Sequence, residues 1–124
     1  MNILRLARDC ARHYNQFMNA KRRTKLLNII SHELRLLLGE KLDRVILYGS
    51  FARGEAHADS DIDILIVVHG TFDYGALIHQ TSELVARLSL EYDVVISRAF
   101  ISKERFENEQ SPFTLNVQRE GVPI

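Results

Sequence analysis

The sequence predicts an α/β domain, and three observations carry that expectation. Two apolar runs, Val45-Ile46-Leu47-Tyr48 and Ile62-Asp63-Ile64-Leu65-Ile66-Val67-Val68, read as strands. Apolar residues at helical spacing flank them: Leu26, Leu27, Ile30, Leu34, Leu37 and Leu38 before, and Leu77, Ile78, Leu84, Val85 and Leu88 after. A chain of 124 residues has room for one core and not for two.

Taken in order, residues 2 to 18 place Ile3, Leu4, Ala7, Cys10, Ala11 and Tyr14 near one side of a helix. They are expected to form an extension, 1–20, to a domain spanning 21–124. Thr24 stands where it could cap the next helix after the cluster Lys21-Arg22-Arg23, and Gly39 falls near its end. A first strand is expected at 44–48 and a second at 61–68, the latter almost wholly apolar after its acids, as in a central strand covered on both faces. A helix over 73–90 leads to a third strand at 92–97, within Glu91-Tyr92-Asp93-Val94-Val95-Ile96-Ser97. Two short helices, about 102–110 and 113–119, are parted at Ser111-Pro112.

The chemistry concentrates in the loop between the first two strands. Gly49 lets the chain leave its strand sharply, and Ser50 could cap a short helix begun by Phe51-Ala52-Arg53. Backbone N–H groups at such a start attract phosphate oxygens. Asp61 and Asp63 open the next strand one pleat apart on one face, where like charges repel unless a cation joins them. All-oxygen donors of this kind suit Mg²⁺. A glycine-serine turn alone is an ordinary connection, and Asp-x-Asp alone is a solvated strand start. Joined by one short loop, they point to a nucleoside triphosphate with its Mg²⁺.

Composition narrows the classes. Lys and Arg number 16 against 16 Asp and Glu, so the formal net charge is zero. The balance is uneven, because the basic residues gather before residue 42 and the acidic ones after it. That basic half could meet an acidic partner, but a solvated helix face explains it equally, and nucleic acid is not required. A single cysteine, Cys10, excludes an internal disulfide and accords with a reducing, cytoplasmic setting. No run approaches membrane-spanning length. The five histidines show no ligand spacing, and His57, in the loop before Asp61, is expected to be solvent-exposed.

Gly49-Ser50, Ala52-Arg53-Gly54 and Ser60-Asp61-Ile62-Asp63 together resemble the signature of the minimal nucleotidyltransferases of the polymerase-β-like superfamily, over about residues 24 to 122. The tail Ser111-Pro112-Phe113 and Arg119-Glu120-Gly121-Val122 resembles that family as well, its apolar residues expected to pack on the sheet rather than touch substrate. The resemblance implies a nucleotidyltransferase fold, a mixed sheet flanked by helices. It implies binding of Mg-ATP, with Gly49, Ser50 and Arg53 at the phosphates and transfer of AMP with loss of pyrophosphate. It also implies a third carboxylate on a later strand, for which Asp93 is preferred over Glu91. Asp61, Asp63 and Asp93 would then be the metal-binding and catalytic set. An ion pair is an equal role for Arg53.

The chain leaves no space for a domain to hold an acceptor, so a second protein or a second copy must bring it. Small proteins of this kind resemble the antitoxins of HEPN/MNT toxin–antitoxin pairs, which imply a HEPN ribonuclease partner AMPylated on a tyrosine, as in type VII systems. The alternatives are an antitoxin that only blocks its toxin, or a subunit acting on a small molecule or RNA end. Arg8 and His13 are spaced as in the Arg-x4-His-x-Tyr motif of HEPN proteins, but Tyr14 follows too closely, so chance is the better account.

Overall fold

The computed structural model describes residues 19–56 and 60–124. The expected helix over residues 2–18, with Cys10 and the Arg8–His13 pair, lies outside the described residues, as does His57. Helix α1 (Asn19–Leu38) is followed by a 3-10 turn (Gly39–Lys41), strand β1 (Leu42–Tyr48) and a five-residue helix α2 (Gly49–Arg53). Strand β2 (Ile62–Val68), helix α3 (Tyr74–Tyr92) and strand β3 (Ile96–Ser102) come next. Helices α4 (Lys103–Asn108) and α5 (Pro112–Glu120) and a two-residue strand β4 (Val122–Pro123) complete the chain.

The sheet has the order β3-β2-β1-β4 and is mixed. β2 is antiparallel to β1 and parallel to β3, and β4 is antiparallel to β1. A parallel pair needs a crossover, and α3 supplies it. Alternation along the strands then builds two apolar layers. Ile62, Ile64, Ile66 and Val68 of β2 meet Leu26, Ile30 and Leu34 of α1 and Leu77, Leu84 and Leu88 of α3. Leu65 and Val67 point the other way, toward Phe106 of α4 and Val117 of α5. β2 is covered on both faces, which explains its nearly unbroken apolar run. The expected α/β class, with a mixed sheet flanked by helices, is what the structure shows.

Three of the boundaries that differ from expectation have an identifiable cause. α1 runs through Lys21-Arg22-Arg23, so Thr24 lies inside it rather than at its cap. Arg22 explains the continuation: its Nη2 donates to the Glu91 carbonyl at 3.2 Å, and its guanidinium lies 4.9 Å from the centre of the Tyr92 ring. The cluster therefore fastens the start of α1 to the end of α3. Replacing Arg22 with alanine should cost about 1 kcal/mol, read as a lowered urea midpoint.

The second and third differences are linked. Tyr92 continues the buried series Leu77, Thr81, Leu84 and Leu88, so α3 extends to it and the third strand starts four residues later, at Ile96. Asp93 sits at the helix C-cap with φ 50 and ψ 53, a left-handed conformation that short polar side chains tolerate better than most. β3 is held against α3 by Arg98, which donates to the Thr81 hydroxyl at 2.7 Å, the Ile78 carbonyl at 2.9 Å and the Ser82 hydroxyl at 3.1 Å. The short helices behave as expected: Ser102 caps α4, and Ser111 caps α5 ahead of Pro112.

At the sheet end where Leu42 pairs with Val68, Asp43 is nearly buried among cations. Arg44 Nε lies 2.6 Å from its carboxylate, His69 Nε2 3.4 Å and Lys103 Nζ 3.6 Å. Burial acts to raise the Asp43 pKa, but the Arg44 hydrogen bond and the nearby Arg44, Lys103 and His69 side chains outweigh it and hold the group below 3.8. A depressed carboxylate stabilises the fold above its ordinary value and loses that contribution as pH falls through the folded one. Asp43→Asn should therefore lower stability at pH 7 by on the order of 1 kcal/mol, screened because the cations are half exposed. Urea midpoints of the two proteins should converge below pH 3.8.

Candidate active site

The opposite end of the sheet gathers the predicted loop residues. β1 ends at Tyr48, which is the cross-strand partner of Asp63, and Ser97 lies beside Asp63 on the other neighbour. Asp63 shares its face of β2 with Leu65 and Val67, the face covered by α4 and α5. Asp61 precedes it by one pleat and is exposed, whereas Asp63 is half-buried.

Gly49 makes the turn between strand and helix, and only glycine suits it. Its φ is +76, and a methyl group placed there would lie 3.3 Å from Asp63 Cγ and overlap Asp63 Oδ2. The carboxylate of Asp63 thus rests directly against the glycine of the glycine-serine turn. The two halves of the sequence motif are in contact.

Ser50 takes a different place from the one expected. α2 begins at Gly49, its N-cap residue is Tyr48, and no side chain caps it, so Ser50 lies within the first turn. Its carbonyl accepts the Glu55 N–H at 2.9 Å, and Gly54 closes the helix with φ 71. Arg53 is exposed and paired on two sides, with Glu55 at 3.1 Å and Glu120 at 3.5 Å. The ion-pair role is therefore present, and it ties α2 to the end of α5.

The electrostatics of the acidic pair suit a cation. Burial and the Asp61 carboxylate push Asp63 above 3.8, and Arg53 offsets them only in part. Burial and the same Asp63 charge also push the phenol of Tyr48 up. Two carboxylates within electrostatic reach of each other, with hard oxygen donors and no compensating contact from Arg53, fit a divalent cation such as Mg²⁺.

Asp93 is not brought into this group. It caps α3, is exposed, and stands three residues before the strand that pairs with β2. Among the described residues, no three His, Cys, Asp or Glu side chains come together as a ligand set. The strand that was expected to carry Asp93 starts instead at Ile96 and sets Ser97 beside Asp63. The physical reason is the extra helical turn that buries Tyr92.

Two aromatic residues that the motif did not single out join the site. Tyr48 packs edge-to-face with Phe113, centroids 5.4 Å apart at 86°. Thr114 and Val117 of α5 are buried as the tail was expected to be, but Phe113, Leu115 and Val122 remain exposed. The position of Tyr48 immediately before Gly49 could have signalled its role; no spacing in the sequence points to Phe113.

A glycine-serine turn folded onto an aspartate, at the end of a mixed sheet with helices on both faces, is an arrangement suited to nucleotide transfer. The chain belongs to the nucleotidyltransferase domain family, whose model matches residues 24–119, and its fold is that of the polymerase-β-like superfamily. It is 35% identical over 102 residues to a provisionally named protein adenylyltransferase of Methanocaldococcus jannaschii, covering 81% of this chain and 96% of that protein. A chain of a toxin–antitoxin crystal structure with AMP-PNP superposes with TM-score 0.54 at 24% identity, covering 85% of this chain and 71% of that one. A chain from a mutant of the toxin–antitoxin MntA-HpeT gives TM-score 0.52 at 26% identity, over 78% and 69%. Among the described residues, no helix is long and apolar enough to cross a membrane.

Proposed function

We propose that this chain is the antitoxin of a toxin–antitoxin pair and transfers AMP from Mg-ATP to a hydroxyl, a tyrosine by preference, of a HEPN-like toxin. The observation that carries the reading is the seating of the Asp63 carboxylate against Gly49, which supports taking the glycine-serine turn and the acidic strand start together. The similarity to a named protein adenylyltransferase supports AMP as the group transferred. The likeness to chains of toxin–antitoxin structures supports a protein of that kind as acceptor.

In the transfer, the acceptor oxygen bonds to the α-phosphorus as the bond to the bridging oxygen breaks and pyrophosphate leaves. The amides of Gly49 and Ser50 and the Ser50 hydroxyl would hold the outer phosphates. Asp61 and Asp63 would hold Mg²⁺, which supplies charge neutralisation at the phosphates when bound. Arg53, shared between Glu55 and Glu120, would contribute through its field rather than by direct contact.

A second reading is blockade without transfer, favoured by the lack of a three-carboxylate ligand set among the described residues. Incubating the purified chain with its helical genomic neighbour, ATP and Mg²⁺ distinguishes the two. A mass gain of whole AMP units on the neighbour, localised to a tyrosine by peptide mapping, is the expected result. An unmodified yet fully inhibited neighbour would establish blockade, and label passing instead to RNA ends would establish the third alternative.

A further inference from the structure

We infer that Phe113, braced by Tyr48, is the stacking platform for the nucleobase of the bound nucleotide. The inference rests on the proposed nucleotide site and assigns its third part, since the phosphates and the cation already have theirs. Among the described residues the exposed aromatic rings are Tyr74 and Phe113. Tyr74 packs on Phe100, in the α1–α3 layer on the far side of the sheet. Phe113 stands on the face that carries Asp63, linked to it through a single residue. Its ring centre is 5.4 Å from that of Tyr48, and Tyr48 is the cross-strand partner of Asp63. Such partners lie about 4.5–5.5 Å apart at Cα.

Phe113 is 42% exposed and, like Leu115, lies on the outer side of a helix whose Thr114 is fully buried and Val117 nearly so. Packing of α5 thus requires nothing aromatic at 113. The edge-to-face contact with Tyr48 uses only part of the π surface and fixes the ring's orientation. Position is fixed from below as well, because Ser111 caps the helix two residues earlier and the Thr114 hydroxyl donates to the Glu109 carbonyl at 2.8 Å. A rigid, half-exposed ring beside a carboxylate pair is what a base joined through ribose to the α-phosphate would meet. Stacking on it discriminates weakly among bases, since every base has a π face.

The test compares Mg-ATP with Mg-tripolyphosphate, which has the phosphates and no base, by calorimetric titration of the full chain. Phe113→Ala should weaken Mg-ATP about tenfold and leave Mg-tripolyphosphate within about twofold, with Phe113→Tyr close to the parent for both. Phe113→Leu keeps bulk without a ring and should behave as the alanine variant, so the result survives poor folding of the latter. Equal weakening of both ligands, no weakening of either, or a loss of AMP transfer at unchanged Mg-ATP affinity would overturn the platform while leaving the nucleotide site intact. A parent protein that binds neither ligand would overturn the nucleotide site and the platform together.

Discussion

Replacing Gly49 with alanine is expected to cost roughly 3 kcal/mol and to abolish triphosphate binding. Two penalties add. A Cβ-bearing residue at φ +76 is strained by about 1–2 kcal/mol. The added methyl group also overlaps the Asp63 carboxylate, and crowding a packed site typically costs about 1–3 kcal/mol. Relief requires either the turn or Asp63 to move, and each movement separates the phosphate amides from the cation ligands. Urea unfolding reads the first effect and titration with Mg-tripolyphosphate reads the second. A variant that folds as stably as the parent and still binds triphosphate would contradict the contact on which the site is built.

The second large effect divides stability from activity. Asp63→Asn should reduce AMP transfer by about 100-fold or more, because an amide cannot replace a charged ligand to Mg²⁺. In the absence of Mg²⁺ the same variant should melt about 2 °C higher than the parent at pH 7. The sign follows from the direction of the shift. Burial and Asp61 raise Asp63 above 3.8, so the folded protein binds that proton more tightly than the unfolded chain does. Such a group stabilises below its ordinary value, and the contribution is lost as pH rises through the raised folded value. At neutral pH the ionised pair is a burden, and the neutral isostere removes it. Asp61→Asn, at the exposed member of the pair, should lose transfer likewise with a smaller gain in melting temperature. Melting curves with and without Mg²⁺ should therefore cross in order: Mg²⁺ stabilises the parent and leaves Asp63→Asn unchanged. An Asp63→Asn protein that melts lower than the parent without Mg²⁺ would contradict the assignment of the pair as uncompensated charge.

Much of the site was legible because its information is local. Gly49, Ser50, Asp61 and Asp63 lie within fifteen consecutive residues, and alternation along one strand assigns the faces of the acids without reference to any other element. Asp93 was placed by a different kind of inference, from the need for a third acid and from a run that reads equally well as strand. What decided its position was Tyr92, whose ring is buried beneath Arg22. A cation–π contact between residues seventy positions apart leaves no trace in a local pattern. The expectation that Ser50 caps α2 failed by two residues, because the helix begins at the glycine itself and Tyr48 is its N-cap.

The sequence by itself determined the class of fold, the central place of β2 and which residues the loop brings to the candidate site, since periodicity and residue type act over neighbouring positions. Only the tertiary structure decided that Asp63 rests on Gly49, that Arg53 is shared by Glu55 and Glu120, and that Phe113 faces outward beside Tyr48. Those relations depend on strand register and helix docking, which are fixed by the packing of distant side chains into common layers.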